Sequence, residues 1–540
     1  MSLRVRWISA VLLGGFVTSL GCMKATANAE GAPLTSTTIA PPKLVVFITV
    51  DQLRGDMLDR YRNDLRYGFA RLMRGAWFVN GFQDHAITET APGHASIMSG
   101  RFPRSTGIVS NLTGVIDPNY SLLTGLPGEV GASPERFQGT TLFDWLSAKD
   151  KRTRALSVSK KDRGAILPIG RARQNVYWFS ANGSFTTSTY YRDTLPAWVQ
   201  EFNARRIAQS YAGAAWRLSR DSSTYPEPDS VPLEKGGRDF MFPHEFPLDS
   251  LGATAYIAAT PTMDSITALF ALEGLRRLDI GHGPQTDILA VSFSATDYVG
   301  HAYGPDSREA HENEIRLDET IGWFLDSLYR LRDSSTIMIA LTGDHGMSPI
   351  PELARARGEA KGDQGLRVTL RPQVAELRAG LRAAGVDTLA FFYDGETVAL
   401  DRAALSAAKI NADSLLRAFT AAAKQVRGVA RVDRIADIRR ADFAIDPIAR
   451  RWAHQIPEKS DVDLVITLTR YSYWSNIPAT HGSPYDQDAY VPIIFYGPWA
   501  KPGRYSNFAR SVDMGVTLAA ITGVRPLEKV DGVVLMQGLR

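Results

Sequence analysis

Leu44-Val45-Val46-Phe47-Ile48-Thr49-Val50, followed at once by Asp51, is the stretch on which the fold turns. The run is rich in β-branched residues, does not alternate polar with apolar, and is too short for a buried helix. Such a segment reads as a strand covered on both faces, as in parallel sheets. Three more runs share this character: Ile288 to Phe293, Thr336 to Leu341 and Leu464 to Leu468, with Val491 to Tyr496 as a fifth. Helix-period stretches lie between them. In Arg308 to Arg332, Ile315, Leu317, Ile321, Phe324 and Leu328 recur on one face. Strands alternating with helices predict an α/β fold, a doubly wound and mainly parallel sheet flanked by helices.

Ligands of such sheets gather beyond the carboxyl ends of the strands. Asp51 follows the first run, Asp297 comes four residues after the second, and Asp344 with His345 follows the third. With His301 and His481 these make three carboxylates and three imidazoles, enough to hold two borderline-soft cations such as zinc. Hydroxide or hydroxyl beside such ions is a ready nucleophile, so the pattern points to a hydrolase.

Asp297 and His301 stand four apart, which on a helical turn places both on one face. The alternative is a solvated turn. Asp344 and His345 are adjacent and flanked by Gly343 and Gly346, so a sharp turn is needed for both to reach one ion. A helix cap would explain Asp344 but not His345. Thr90 in Thr88-Glu89-Thr90-Ala91-Pro92-Gly93-His94 is either an N-cap before a proline-opened helix or a hydroxyl in the positive field of that helix, where phosphate oxygens also fit.

The 540 residues carry 44% hydrophobic and 22% charged residues, an ordinary globular composition with room for inserted elements. Residues 1–29 hold Arg4, Arg6 and Lys24 and no acid, so 58 basic residues face 57 acidic ones afterwards, and no nucleic-acid partner is implied. Arg4 and Arg6, the apolar Trp7 to Leu20 and the small-residue site Ala27-Asn28-Ala29 form an export signal over 1–29, giving a periplasmic or secreted protein. Ser19-Leu20-Gly21-Cys22 offers the alternative of a lipid anchor at Cys22. No later segment has the length and apolarity of a membrane span. Cys22 is the only cysteine, which rules out intrachain disulfides, a cysteine nucleophile and a thiolate metal site.

Two intervals without candidate ligands, about 171–285 and 365–459, read as cap elements inserted into the domain 30–540. The first holds Tyr177-Trp178-Phe179, Tyr190, Tyr191 and Trp198, which packing accounts for better than substrate contact. The second alternates Ala-rich helices with short strands such as Leu389 to Phe392 and Gly428 to Val432.

Several ordered motifs together resemble the alkaline phosphatase superfamily, in its threonine-nucleophile, PafA-like branch of bacterial phosphomonoesterases. They are Val50-Asp51-Gln52, Thr90 through Ser96, Gly107 through Asn111, Lys161-Asp162-Arg163, Asp297 through His301, Gly343 through Gly346 and Thr480-His481-Gly482. The likeness runs from about Leu44 to the C-terminus. It implies an alkaline phosphatase-like fold and two Zn2+ ions, one held by Asp297, His301 and His481, the other by Asp51, Asp344 and His345 with Thr90 as a further ligand. It further implies attack by Thr90 on a small-molecule phosphate monoester and a phosphothreonine intermediate, with Asn111, Lys161 and Arg163 on the phosphoryl oxygens. Lys161 and Arg163 alternate around Asp162 and point the same way if that segment is extended. Apart from the resemblance, Lys160 to Arg163 is an ordinary charge run and Asn111-Leu112-Thr113 a glycosylation sequon. Thr106 and Leu112 to Gly114 depart from the family pattern in ways that bear on the leaving-group pocket. His85 and His94 read as packing or supporting residues.

Three rival functions follow. A phosphodiesterase or nucleotide pyrophosphatase shares the metal core but does not ordinarily need the Lys161 and Arg163 pair. A noncatalytic phosphate-binding protein would bind without turnover. A sulfatase is disfavoured because the nucleophile position holds neither cysteine nor serine. Oligomeric state leaves no mark in the sequence.

Overall fold

The computed structural model describes residues 39–540; the export signal and Cys22 lie outside the described residues. A nine-stranded sheet forms the centre. From one edge its strands are Gly503–Arg510, Ala76–Phe82, Ile493–Tyr496, Ile337–Gly343, Leu44–Val50, Asp287–Phe293, Ala155–Ser159, Asn175–Phe179 and Phe185–Thr186. Leu44–Val50 lies fifth, parallel to both neighbours and in unshifted register: Val50 stands opposite Phe293 on one side and Gly343 on the other. Three carboxyl ends therefore finish on one line, and the residues that follow them are brought together.

Side-chain alternation along Leu44–Val50 builds a core on each face. Leu44, Val46, Ile48 and Val50 pack into one apolar cluster with Phe270, Leu275, Phe324 and Leu328 from the helices Pro261–Arg277 and Arg308–Leu331. Val45 and Phe47 point the other way, into a cluster with Ile97, Met98 and Leu518 from the helices Thr90–Ser99 and Val512–Thr522. Each fully buried side chain of this size contributes about 1.5–3 kcal/mol, which is why this strand tolerates no polar face. Ser307 starts the long Arg308–Leu331 helix by accepting from the backbone N–H of Ala310. The doubly wound, mainly parallel α/β architecture is present.

Three expectations change in detail. Val462–Leu468 does not join the parallel sheet. It pairs antiparallel with Thr397–Leu400 and Val429–Arg434 in a separate four-stranded sheet, with Phe391–Tyr393 at its edge and a core that includes Leu370, Leu405 and Phe419. An apolar β-branched run looks alike in either sheet, so periodicity does not choose between them. Ile493–Tyr496 is a strand of the main sheet but runs antiparallel to both neighbours. The interval 171–285 is not all insertion: Asn175–Phe179 and Phe185–Thr186 are main-sheet strands, with Tyr177 and Phe179 on one face and Trp178 on the other. Among the described residues no helix is long and apolar enough to cross a membrane.

Candidate metal centre and nucleophile

Asp51 follows the central strand directly and is fully buried. The next residue, Gln52, takes a left-handed backbone with φ 72°, a strained conformation for a residue with a Cβ. This turn aims the Gln52 N–H at Asp344, whose Oδ1 accepts it at 3.0 Å. Two strand ends are thereby tied to each other.

Asp297 lies in the first turn of the helix Ala295–Tyr303, and His301 one turn later. As the i, i+4 spacing requires, His301 Nε2 stands 3.3 Å from Asp297 Oδ1. His481 Nε2 reaches the same oxygen at 3.4 Å. His345 Nε2 is 3.4 Å from Asp51 Oδ1, 3.8 Å from Asp344 Oδ2 and 4.0 Å from Asp297 Oδ1, and its ring stacks on that of His481 with centroids 3.6 Å apart. All six candidate ligands thus share one cluster, with Asp51, Asp297, Asp344 and His345 buried and His301 and His481 half-buried.

Their grouping differs in one respect from the pairing the family resemblance implies. The ligand atoms of Asp297, His301 and His481 lie within 4.8 Å of one another, as do those of Asp51, Asp297 and His345, so Asp297 belongs to both groups. Asp344 stands between His345 and His94, with Oδ2 3.1 Å from His94 Nδ1. His94 also touches the Thr90 carbonyl through Nδ1 and the Ser292 hydroxyl through Nε2, a supporting role under the nucleophile's helix. His85 is buried against Gln455 away from the cluster, and burial, opposed by that contact, pushes its imidazole down to about 3.

The donor set fits metal ions. Each of the three histidines directs Nδ1 to a backbone carbonyl: His301 to Ala479, His345 to Gly346 and His481 to Thr88. This arrangement places the proton on Nδ1 and turns the Nε2 lone pair toward the carboxylates, the orientation metal-bound imidazoles use. Asp51 Oδ1 and Oδ2, Asp297 Oδ1, Asp344 Oδ2 and His345 Nε2 are buried with no hydrogen-bond partner among the described residues. Buried, unpartnered carboxylate oxygens are costly unless a cation meets them. Lys161 supplies one positive charge, its Nζ lying 2.7 Å from Asp51 Oδ2 and 2.6 Å from Asp297 Oδ2. Burial raises Asp297, but Lys161, His301 and His481 outweigh it and hold the carboxyl well below its usual range. Burial likewise opposes charge on His345, yet Asp344 and Asp51 push its imidazole up to about 9. A proton and a metal ion compete for such a nitrogen.

Thr90 opens the helix Thr90–Ser99, all of whose residues are buried. The N-cap is Glu89 rather than Thr90, so the threonine is the first helical residue and its hydroxyl does not cap the helix. Thr90 Oγ1 lies 3.4 Å from Lys161 Nζ, which joins the hydroxyl to the carboxylate cluster. Gly93, one turn on, lets the helix approach the Asp344 turn: a Cβ there would stand 2.2 Å from the Asp344 carbonyl oxygen. Asn111 is locked beside Thr90 from both sides. Its Oδ1 accepts from Ala91 N at 2.9 Å, and its own N–H donates to Glu89 Oε2 at 2.6 Å.

Lys161-Asp162-Arg163 is not an extended segment. Lys161 is the N-cap of the short helix Asp162–Ile166, so alternation is not what orients the two cations. Arg163 still sits near the cluster: burial lowers its guanidinium, but Asp162, Asp51 and Asp297 more than restore it, and its Nε has no partner among the described residues.

The sequence reading gave no role to Asp264 or Glu314, and the structure places both behind Asp297. Asp264 Oδ1 accepts from the N–H groups of Ser294 and Ala295 at the start of Asp297's helix. Glu314 accepts from Thr296 Oγ1 at 3.3 Å. Both acids sit inside helices, where sequence spacing carries no signal of a partner on another element.

The family profile described as type I phosphodiesterase / nucleotide pyrophosphatase matches residues 45–383. The chain belongs to that family. Alkaline phosphatase PhoV of Synechococcus elongatus is 30% identical over 549 residues, covering 97% of this chain and 97% of the relative. Alkaline phosphatase PafA of Elizabethkingia meningoseptica is 27% identical, covering 90% and 92%. The crystal structure of wild-type PafA superposes with a TM-score of 0.84 at 26% identity, over 93% of this chain and all of that one. Within the alkaline phosphatase superfamily, to which this phosphodiesterase family belongs, these likenesses put the chain in the PafA-like branch.

Proposed function

We propose that the protein is an exported, two-zinc alkaline phosphatase that hydrolyses phosphate monoesters through a phosphothreonine at Thr90. The observation that carries this reading is the cluster of three buried carboxylates, whose charge Lys161 alone does not balance, and three imidazoles presenting Nε2, with a helix-terminal threonine beside it. Asp297, His301 and His481 would hold one ion; Asp51, Asp344, His345 and Thr90 would hold the other, with Asp297 near enough to serve both. Bound divalent ions would supply the positive charge that lowers the pKa of a hydroxyl and steadies a departing oxygen.

The chain's own groups do the rest. The Thr90 hydroxyl releases its proton to solvent and its oxygen bonds to phosphorus as the P–O bond to the alcohol breaks, the alcohol oxygen taking a proton from water. A second water then cleaves the phosphothreonine to phosphate and restores Thr90, all at a helix N-terminus where backbone N–H groups favour anionic oxygens. Asn111, its carboxamide oxygen fixed by Ala91, turns its NH2 to the phosphoryl group. Lys161 and Arg163 match the second negative charge that distinguishes a monoester from a diester. In this reading 171–285, apart from its two sheet strands, and 365–459 cap the site.

Comparing 4-nitrophenyl phosphate with bis(4-nitrophenyl) phosphate tests the assignment. Faster monoester hydrolysis, lost on chelation and regained with zinc, is expected; faster diester hydrolysis would make the protein a phosphodiesterase of the same family.

A further inference from the structure

Beside the metal cluster lies a cavity of about 180 Å³. Its wall includes His481 and also Glu89, the neighbour of the nucleophile, so it opens where the organic part of a bound ester would extend. The far side comes from Glu396 in the turn before Thr397–Leu400, from Trp452 on the helix Pro447–Gln455, and from Tyr473 and Trp474 in the loop after Val462–Leu468. No lysine or arginine lines it.

The chemistry of this wall is specific. Glu396 makes no side-chain hydrogen bond to another residue among those described, so its carboxylate has no assigned protein partner. Glu89 and Glu396 line the same cavity, and burial, then repulsion from Glu89, push the Glu396 carboxyl up to about 8. Trp452 commits its N–H to Thr467 Oγ1 at 2.9 Å, and Tyr473 commits its hydroxyl to the Ser348 carbonyl at 2.9 Å. Both therefore offer the cavity ring surface rather than polar groups. Asp488, the third acid of the wall, is committed to the Ser348 and Ser483 hydroxyls, and His481 is its one imidazole. Glu89 and Glu396, with the aromatic faces and no lysine or arginine, repel an anionic ligand and attract a soft cation.

Resting on the monoesterase reading, we propose that this cavity receives the leaving group of the ester and favours alcohols that carry an ammonium group, as in phosphate esters of amino alcohols.

The test compares kcat/KM for phosphocholine, glycerol 2-phosphate and 2-carboxyethyl phosphate at pH 9, each normalised to 4-nitrophenyl phosphate, in the parent and in Glu396→Gln and Trp474→Ala. Intrinsic ester reactivity cancels between parent and variant. The phosphocholine to carboxyethyl phosphate ratio should fall about tenfold in Glu396→Gln, the effect of losing one desolvated cation contact. A ratio unchanged in both variants, with nitrophenyl phosphate still turned over, overturns this inference and leaves the phosphatase reading intact. If nitrophenyl phosphate is not hydrolysed at all, that reading fails, and calorimetry of choline binding to the protein without added metal decides. Binding weakened about tenfold by Glu396→Gln supports the cavity's preference, and no binding removes it.

Discussion

Gly93→Ala probes how the nucleophile is held against the metal ligands. Gly93 sits one turn beyond Thr90, and the added Cβ would meet the Asp344 carbonyl oxygen at 2.2 Å and its carbonyl carbon and Cβ at 2.9 Å. Ordinary contact begins near 3.4 Å. The obstacle is backbone at a strand end, so the helix and the turn must part by about 1 Å, in an interior packed too closely to absorb the shift. Overpacking of this kind costs about 1–3 kcal/mol of stability. The displaced Thr90 hydroxyl should lower kcat by about 100-fold, the usual penalty for a misplacement of that size. Gly380→Ala is the matched control. It lies inside the helix Arg371–Ala383 with nothing within 4 Å of its would-be Cβ, and should gain about 0.5–1 kcal/mol with no change in kcat. Urea unfolding, bound-metal analysis and 4-nitrophenyl phosphate kinetics read all three effects. Parental kcat and stability in Gly93→Ala would refute the idea that this contact sets the position of Thr90.

Thr90→Ala should abolish the burst of phosphoenzyme while bound metal stays near the parental amount; a surviving burst would move the nucleophile elsewhere. Arg163→Ala should lower monoester kcat/KM about 10- to 100-fold, the loss of one charged hydrogen bond, with a smaller effect on a diester. Equal losses on both esters would remove its role in reading the dianion. Glu314 is buried behind Asp297, and burial, opposed by Thr296 and reinforced by Asp264 and Asp318, pushes its carboxyl up to about 8 from 4.5. The folded state therefore holds a proton the unfolded chain has released between these values, so stability falls as pH rises through that window. Glu314→Gln should flatten that fall and gain at most about 5 kcal/mol over the parent at pH 9, measured by urea unfolding at pH 6 and pH 9. Parallel pH profiles would show that Glu314 is ionised in the fold.

Much of the centre was legible in the sequence because four of the six candidate ligands come just after strands of the main sheet. Once Leu44–Val50, Asp287–Phe293 and Ile337–Gly343 are parallel neighbours in unshifted register, Asp51, Asp297, Asp344 and His345 have to meet. The Asp297 to His301 spacing likewise fixed a helical face that exists. Sheet membership was not legible: Val462–Leu468 has the composition of a parallel strand, and only tertiary pairing assigns it to the antiparallel sheet. Nor was the conformation of Lys161 to Arg163, where a helix start replaces the expected extended segment. The sharing of Asp297 between two ligand groups depends on side-chain directions at three separate loops, information no linear spacing contains. Asp264 and Glu314 were invisible for the same reason, since their partners lie on another element.

The central claim is that two cations sit in the Asp51, Asp297, Asp344, His301, His345 and His481 cluster with the Thr90 oxygen beside one of them. Anomalous diffraction at the zinc edge from crystals of the zinc-loaded protein tests it directly. Two peaks about 4 Å apart, each bonded to histidine Nε2 and aspartate oxygens of this cluster and one touching Thr90 Oγ1, are expected. A single peak, or zinc bound elsewhere while these carboxylates stay paired with Lys161 alone, would contradict it.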